Sequence, residues 1–566
     1  MKIPQFKFIV AASGAAIIAA GCGSSNLAVT STPIAVTGEL PIKNVPLTDA
    51  QMETWKNADL VNDTIPGMSV DKAYNEIIKE QEGETVIVAV VDSGVDIEHE
   101  DLDSKIWTNE DEIPNNGIDD DKNGYVDDVH GWNFLGDMVG ANLNFVRILK
   151  DLKPKYDGKT AEEISPENQE EYELYKRANA EYEQKYAEAL QNKQRYEMIL
   201  QRVNAAKTAV AEKLGKEDFT LEDVQNMEAE ATELQQQKAF LTAIMGQVGS
   251  DFGKVKEELN GAIEYFSNQL DYHYNLKFNG REVVGDNPDD ITDTDYGNND
   301  VDGPTEEETH ALHGTHVAGI IGAERNNGIG MNGVAENVEL MILRTVPDGD
   351  EFDKDVALAI RYAVDNGAKV INGSFGKYYS SHPNWVNEAI KYAAEHDVLV
   401  VKAAGNNAYD LNETRVYPND QWPEHPEEIA NNFMSIGAIG YEYGKGMVAG
   451  FSNYGTRTVD VFAPGVEIYA SVPHNEYKFL QGTSMAAPAV AGVAAVIRSY
   501  YPKLSASQVK QIIMESGIPL NLEVSVPTPR EERTEEENIQ TFDKLSVSGK
   551  IVNLYNALIL ADEVAN

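Results

Sequence analysis

The sequence predicts an α/β fold, with a doubly wound parallel sheet, helices on both of its faces and an inserted α-helical hairpin or coiled coil. Apolar runs alternate with amphipathic helical segments over residues 338–462, an order typical of parallel sheets. Residues 489–496 are small or apolar on every side, which indicates a helix inside a core. Residues 149–278 instead have the spacing of long amphipathic helices.

Length and charge limit the possible functions. The chain has 566 residues, of which 42% are hydrophobic, and a formal net charge of −47. This length suffices for two or more folding units with a well-buried core. Because phosphates would be repelled by so acidic a protein, we expect no nucleic-acid partner. A preference for basic substrates is compatible with the charge, but bulk charge cannot establish it.

The N-terminus has the pattern of a secretion signal. Lys2 and Lys7 precede an apolar stretch, residues 8–20, that is too short for a comfortable membrane span. The only cysteine, Cys22, follows it. This order resembles a bacterial lipoprotein signal, which implies removal of residues 1–21, lipid on Cys22 and a location on the periplasmic or outer-surface face of the bacterial cell envelope. A buried core cysteine is the alternative, and a lone cysteine leaves no intrachain disulfide.

The first strong strand signal is the run of six apolar residues 86–91, which is followed by Asp92. Such a run predicts a strand buried on both faces of a parallel sheet. Open α/β sheets place their sites at the carboxyl ends of the strands, so Asp92 is a candidate site residue. Ahead of this strand, residues 65–78 are predicted to contain a helix with Ser69 as its cap.

A calcium loop is predicted after Asp92. Residues 119–124 match the opening D-x-[DN]-x-[DN]-G of a calcium-binding loop. His130 stands where an EF-hand has its bidentate glutamate, so we expect structural calcium in an EF-like loop without an EF-hand domain. A solvated acidic turn is the alternative. The predicted ligands are Asp119, Asp121, Asn123, the backbone carbonyl of Tyr125, and Asp127 or Asp128.

The insertion carries a stripe of aromatic and aliphatic residues spaced by threes and fours. Breaks near residues 215–220 and 246–253 indicate two or three helices. Packing is the more common role of such a stripe, although the insertion could also overhang a cleft and gate large substrates. The stripe comprises Tyr172, Tyr175, Tyr182, Tyr186, Leu190, Tyr196, Leu200, Val203, Val210 and Leu214.

Two further motifs provide a nucleophile and a base. Ser484 lies at the mouth of the all-apolar helix, and Pro488 suits a first helical turn. The unpaired N–H groups and dipole of a helix N-terminus favour developing negative charge. A serine needs a base to become a nucleophile, and His313 opens another small-residue helical segment upstream.

Together these motifs resemble the subtilisin-like serine peptidases, the subtilase family. They are Asp-Ser-Gly at residues 92–94, His-Gly-Thr-His-Val-Ala-Gly at 313–319 and Gly-Thr-Ser-Met-Ala-Ala-Pro at 482–488. The resemblance covers roughly residues 60–140 and 280–520, and excludes the region between. It implies that His313 is the base, that Ser484 is the nucleophile, and that Asp92 orients the histidine. The second histidine, His316, would be structural.

The resemblance also assigns residues around the reacting carbonyl. Asn406, in the stretch 403–407, occupies the position of the side-chain oxyanion donor, with the backbone N–H of Ser484 as the second donor. Ser374, Phe375 and Gly376 match the strand that pairs with extended substrate and walls the first specificity pocket. Phe375 departs from the commoner leucine, which leaves the preferred substrate side chain open.

We therefore expect a calcium-supported, lipid-anchored serine endopeptidase that acts on proteins or peptides. The alternatives are an inactive relative that binds peptides or serves as a scaffold, and an esterase or amidase with the same three residues. The predicted domain division is a signal peptide (1–21), a tether (22–58), the catalytic domain in two parts (59–148 and 279–520), the inserted helical domain (149–278), and a mobile linker with a C-terminal helix (521–566).

Overall fold

The computed structural model describes residues 27, 29–35, 40, 43, 45–248, 252–304, 310–421, 427–534 and 537–566. The predicted signal peptide and Cys22 lie outside the described residues. The strands are β1 (Val86–Asp92), β2 (Gly131–Asn133), β3 (Val338–Arg344), β4 (Val370–Gly373), β5 (Leu399–Ala403), β6 (Phe433–Ile439), β7 (Val461–Pro464), β8 (Ile468–Val472), β9 (Glu476–Leu480), β10 (Ile518–Pro519), β11 (Glu523–Ser525), β12 (Ile539–Thr541) and β13 (Lys550–Ile551). The α-helices are α1 (Asp49–Thr54), α2 (Leu60–Asp63), α3 (Val70–Ala73), α4 (Asn144–Tyr156), α5 (Gln169–Leu214), α6 (Leu221–Asn226), α7 (Thr232–Val248), α8 (Phe252–Asn268), α9 (Leu312–Gly322), α10 (Asp353–Asp365), α11 (Pro383–Glu395), α12 (Thr483–Tyr500), α13 (Ala506–Ser516) and α14 (Leu554–Ala565).

One sheet of nine strands organises the molecule, in the order β10-β13-β7-β6-β5-β4-β1-β3-β2. The neighbouring strands from β13 to β2 are parallel, and β10 pairs antiparallel with β13. Two small antiparallel sheets, β8 with β9 and β11 with β12, stand apart from it. The predicted α/β class with a mostly parallel sheet is confirmed.

Helices cover both faces of the sheet. Residues of α9, α12, α13 and α14 pack in one hydrophobic core, and residues of α10 and α11 pack in another. Along β1, Val88 and Val90 belong to the first core whereas Ala89 and Val91 belong to the second. Because consecutive side chains of a strand point to opposite faces, two covered faces explain the unbroken apolar run of β1.

The insertion contains α4 to α8. Its long helix α5 has 46 residues and ends at Gly215, whose φ of +70° is the left-handed conformation favoured at helix C-termini. One core near its base includes Phe145, Tyr172 and Tyr175. A second core farther along α5 includes Val203 and residues of α7 and α8. The stripe predicted from the sequence therefore supplies packing to both cores.

Buried ion pairs join α10 to the segment that follows the insertion. The Arg281 guanidinium donates to Asp286 and, at 2.6 Å, to Asp355 Oδ2. Lys354 Nζ donates to Asp286 Oδ2 at 2.7 Å. All four side chains are almost completely buried. Because each buried charge in this network has a partner of opposite sign, breaking one pair would leave a charge without compensation.

Three local predictions differ from the structure. In the predicted tether, Leu27 and Trp55 are buried, and Trp55 Nε1 donates to the carbonyl of Glu467. These two side chains of the segment are therefore packed on the body, whereas Val45 is 71% exposed. The predicted mobile linker contains β11 and β12 and buries Phe542. Ser69 does precede α3, but its hydroxyl donates to Asp59 instead of capping the helix.

None of the helices in the described part of the chain combines the length and apolar character needed to cross a bilayer.

Candidate active site

Asp92 and His313 meet at the carboxyl end of β1. The His313 Nδ1–H donates to Asp92 Oδ1 at 2.7 Å, and the backbone N–H of Ser93 donates to the same oxygen at 2.8 Å. Helix α9 approaches this turn very closely, since a Cβ on Gly314 would lie 2.0 Å from the carbonyl oxygen of Gly94. Only glycine allows the first turn of α9 to bring His313 onto the buried carboxylate.

Ser484 lies in the first turn of α12, which begins at Thr483. The prediction that Pro488 lies in the first helical turn is wrong, because the helix begins five residues earlier. Proline has no N–H to offer the carbonyl four residues before it. That carbonyl belongs to Ser484, and it accepts a hydrogen bond from Ser374 Oγ at 2.9 Å instead. A side chain beside the predicted substrate strand thus replaces the missing helical hydrogen bond.

The same two serines share a second hydrogen bond. Ser484 Oγ donates to the carbonyl of Ser374 at 2.9 Å. His313 has a side-chain exposure of 38% and lines the same cleft as Ser484. Catalytic hydrogen bonds are often unformed without substrate. Rotation of the Ser484 hydroxyl away from the Ser374 carbonyl would free it to donate to the histidine.

Asn406 is oriented by Thr483. The Asn406 Oδ1 accepts from both the backbone N–H and the hydroxyl of Thr483, each at 2.9 Å. Thr483 Oγ1 in turn accepts from the backbone N–H of Gly405 at 3.0 Å. With Oδ1 committed, Nδ2 is the group left to donate, since it has no hydrogen-bond partner among the described residues.

One cleft holds these residues together. It has a volume of about 580 Å³ and is lined by His313, Ser374, Phe375, Gly376, Asn406 and Ser484, among others. A Cβ on Gly376 would lie 3.2 Å from the carbonyl oxygen of Tyr417. The three predicted substrate-binding residues therefore form one wall of the cleft that contains the predicted nucleophile, base and amide donor.

The second histidine of the motif has a different environment. His316 is fully buried, and its Nε2–H donates to the carbonyls of Ile468 and Lys478 at 3.0 and 3.1 Å. Burial lowers the pKa of His316 to about 3, so this ring stays neutral at physiological pH. It fastens α9 to the β8–β9 hairpin, which matches the structural role expected from the resemblance.

Electrostatics distinguish His313 from His316. Burial alone would lower the pKa of His313, but the negative charge of Asp92 and its hydrogen bond outweigh that effect and raise the pKa. The imidazolium is therefore favoured next to Asp92. This is the property needed in a residue that takes up a proton transiently.

Comparison with known proteins agrees with this geometry. The model described as the subtilase family matches residues 83–542, which is most of the chain. The chain belongs to the subtilase family. The match spans the insertion as well as both flanking parts of the sheet.

The names of individual relatives of this subtilase are those of a serine proteinase, a subtilisin and a maturation protease. It is 39% identical over 211 residues to the thermophilic serine proteinase of Bacillus sp. (strain AK1), covering 37% of this chain and 46% of that protein. It is 37% identical over 200 residues to subtilisin DY of Bacillus licheniformis, covering 35% and 67%. The solved structure of the prenylagaramide maturation protease PagA aligns with a TM-score of 0.35 and 27% identity, covering 44% of this chain and 82% of that one. The subtilase thus spans less than half the length of the first relative.

The predicted calcium loop contains a carboxylate cluster. Ligand oxygens of Glu112, Asp119 and Asp121 lie within 4.8 Å of one another. Glu112 is 6% exposed, and its Oε2 has no hydrogen-bond partner in the described chain. Carboxylate oxygens are the ligands that Ca²⁺ prefers, so the unpartnered oxygen fits a cation at this position. Glu112 lies seven residues ahead of the loop, and no local pattern indicated it.

The other predicted ligands divide into two groups. Asp127 accepts from the backbone N–H groups of Asn116 and Gly117, and Asp128 accepts from Asn109, Asn123 and Tyr362. Both carboxylates therefore accept hydrogen bonds within the loop, and the role of either one as a calcium ligand stays a prediction. Asn123 lies next to Asp121, to which its amide donates at 3.0 Å. The Tyr125 ring packs on Trp132, Phe134 and Tyr362, and a role for its carbonyl stays a prediction.

Proposed function

We propose that this subtilase is a serine endopeptidase that hydrolyses peptide bonds of protein substrates through Asp92, His313 and Ser484. The observation that carries the proposal is the 2.7 Å hydrogen bond from His313 to the buried carboxylate of Asp92, in the cleft that also contains Ser484. A serine in the first turn of a buried helix, beside a histidine held by an acid, has the arrangement required for acyl transfer.

In the first step, Ser484 Oγ attacks the peptide carbonyl carbon while His313 Nε2 takes the hydroxyl proton. The carbonyl electron pair moves onto its oxygen. When the tetrahedral intermediate collapses, the C–N bond breaks and His313 returns the proton to the leaving amine. Water then attacks the acyl-enzyme by the same route. Asp92 keeps the imidazole in the Nδ1–H tautomer and stabilises the imidazolium.

Two donors would stabilise the oxyanion. The Asn406 Nδ2 group is turned towards the cleft by the Thr483 hydrogen bonds to Oδ1. The backbone N–H of Ser484 lies in the first turn of α12, where N–H groups lack intrahelical acceptors. Preorganised donors of this kind cost no reorganisation when negative charge develops, which makes them effective in the transition state.

We further propose structural calcium at Glu112, Asp119 and Asp121. The closeness of the three carboxylates and the unpartnered, buried Glu112 oxygen support this assignment. Bound calcium would offset the mutual repulsion of the carboxylates and hold the loop that precedes β2. Calcium takes no part in the peptide-bond chemistry proposed above.

We propose that the mature chain is anchored in the bacterial cell envelope by lipid on Cys22, on the periplasmic or outer-surface face. The support is the order of basic residues, apolar stretch and single cysteine over residues 2–22. The domain division given from the sequence is kept as part of this proposal, except that the start of the helical insertion moves from residue 149 to Asn144, where α4 begins.

Labelling with a fluorophosphonate probe tests the enzyme assignment. The purified wild type should label, Ser484→Ala should lose the label, and Ser516→Ala should retain it. Ser516 is a suitable control because its buried hydroxyl has no hydrogen-bond partner in the described structure. An unlabelled, folded wild type would support the inactive relative. Ester hydrolysis without peptide hydrolysis would support the esterase.

A further inference from the structure

The loop between β3 and α10 carries three acidic residues along the cleft. Two of them are engaged by the insertion. Asp348 Oδ1 accepts from His273 Nε2 at 2.9 Å, and Asp350 Oδ2 accepts from the backbone N–H of Asn144 at 2.6 Å. Both carboxylates therefore position the ends of the insertion against the cleft wall. The third acidic residue, Glu351, is left for another role.

Glu351 differs from its neighbours in having one carboxylate oxygen, Oε1, that receives no hydrogen bond within the described chain. It is 3% exposed and lines the cleft together with Phe375 and Gly376. Its Oε1 is buried without a hydrogen-bond partner among the described residues. A buried carboxylate oxygen without a donor is costly to the folded protein, which makes it a candidate for pairing with a ligand.

The charges of Arg147, Lys377 and Lys402 act on Glu351, but among the described residues no cation gives its Oε1 a hydrogen bond. Lys377 Nζ donates to the backbone carbonyl of Glu351 and pairs with Asp353 at 2.8 Å. The Arg344 guanidinium donates to Asn133 Oδ1 and to three backbone carbonyls. Lys402 Nζ is unpartnered, but within the described chain no ion pair of 4.0 Å or less joins it to Glu351. Lys402 lines a second cavity, of about 160 Å³, behind the wall.

We propose that Glu351 determines specificity by pairing with a lysine or arginine side chain of the substrate segment that lies along residues 374–376. The proposal rests on the proposed peptidase function and deepens it. Glu351 is the acid of the cleft wall with a buried oxygen that lacks a hydrogen-bond donor in the described chain, so a substrate cation would give Oε1 its missing donor. A formal net charge of −47 also draws cationic peptides towards the protein.

The expected effect is large because a substrate that lacks the cation leaves the buried carboxylate unpaired. Sites built around such a polar group discriminate strongly against substrates without the matching group. A hydrogen bond to a charged group in a desolvated position corresponds to a change of about tenfold to a hundredfold in kcat/KM. Specificity should therefore depend mainly on Glu351, and only weakly on the committed carboxylates of Asp348 and Asp350.

Fluorogenic peptide libraries test the proposal. In each library, one of the four substrate residues preceding the scissile bond is lysine, arginine, glutamine, norleucine or glutamate. The wild type, Glu351→Gln and the matched control Glu388→Gln are compared, Glu388 being an exposed residue of α11. Fluorophosphonate labelling of each variant measures the fraction of active enzyme independently of the substrate side chain.

We expect a preference for lysine or arginine at one of these positions in the wild type and in Glu388→Gln. Glu351→Gln should reduce it by at least about tenfold while labelling is retained. If Glu351→Gln fails to fold, competition by peptide aldehydes with arginine or norleucine against labelling of the wild type gives the same comparison.

Hydrolysis of peptides without a basic preference would overturn the role of Glu351 and leave the peptidase intact. A basic preference unchanged in Glu351→Gln would do the same. Labelling without hydrolysis of any peptide would overturn the proposed peptidase, and the specificity proposal with it.

Discussion

Replacing Thr483 by valine tests how the amide of Asn406 is held. The Thr483 hydroxyl is completely buried, donates to Asn406 Oδ1 and accepts from the backbone N–H of Gly405. Valine has nearly the same shape but can form neither hydrogen bond. The substitution therefore removes the orienting contact while leaving Asn406 and Ser484 in place.

The size of the effect follows from which contacts remain. Asn406 keeps its second hydrogen bond, from the backbone N–H of Thr483 at 2.9 Å. The Asn406 amide is therefore still present but is oriented by one hydrogen bond instead of two. The kcat should fall by about tenfold, which is less than the 10²–10³ expected when such a donor is removed. The buried N–H of Gly405 is left unpaired, which should lower the free energy of unfolding by about 1–3 kcal/mol.

Steady-state kinetics on a peptide substrate, together with chemical denaturation, measure both effects. Thr458→Val serves as the matched control because the Thr458 hydroxyl is buried without a hydrogen-bond partner in the described chain. It should keep the wild-type kcat. The account would be refuted if Thr483→Val retained kcat within about twofold of the wild type while Asn406→Ala lost more than a hundredfold.

Three further predictions concern pH, metal and stability. Because Asp92 raises the pKa of His313 and the base must be neutral, kcat/KM of the wild type should fall as the pH drops through that raised pKa. The pH profile of Asp92→Asn should have its inflection at a lower pH than that of the wild type. EDTA should lower the Tm of the wild type by roughly 5 °C or more. The difference in Tm with and without EDTA should be smaller in Glu112→Gln and unchanged in Glu110→Gln, which replaces an exposed residue and serves as the control. Burial lowers the pKa of Lys402 to about 7, so the unfolded chain binds the proton more readily than the folded protein does. Lys402→Met should therefore raise the free energy of unfolding by about 1–4 kcal/mol at pH 7 and by less near pH 10, which denaturation at both pH values measures.

Regular elements could be predicted where burial imposes a periodic pattern. The apolar runs predicted between residues 338 and 462 include β6 (Phe433–Ile439), and the run that leads to Asp92 is β1. Strands covered on both faces have continuous apolar runs, which are easy to recognise in a sequence. The long helix of the insertion was equally clear because its apolar stripe persists to Leu214.

Irregular packing could not be predicted in the same way. The segment 524–548 is rich in proline and charge, yet Phe542 packs on Phe462 with ring centroids 5.3 Å apart. Isolated apolar residues without a period give no local signal of burial. The prediction of a mobile linker is therefore wrong for much of the segment, because its few large side chains pack in a core that they share with residues of β6 and β7.

Site residues could likewise be predicted where they belong to a recognisable sequence pattern and could not be predicted elsewhere. Asp92, His313 and Ser484 stand in motifs that can be recognised separately. The fold brings His313 and Ser484 to one cleft and places Asp92 in hydrogen-bond contact with His313. Glu112 and Glu351 have no motif, and the chemistry proposed for each depends on one buried carboxylate oxygen that has no hydrogen-bond partner in the described chain. A sequence shows which groups are charged, but not which of them lack a counterion once the chain is folded.

Hydrolysis of an internally quenched peptide is the most direct test of the central claim. Product masses identify the bond that is cut, and active-site titration normalises the rate. The account predicts cleavage of an internal peptide bond by the wild type, with a loss of at least about 10⁴ in kcat for Ser484→Ala. Cleavage by Ser484→Ala at the wild-type rate, or a labelled wild type that hydrolyses small esters and no peptide, would contradict it.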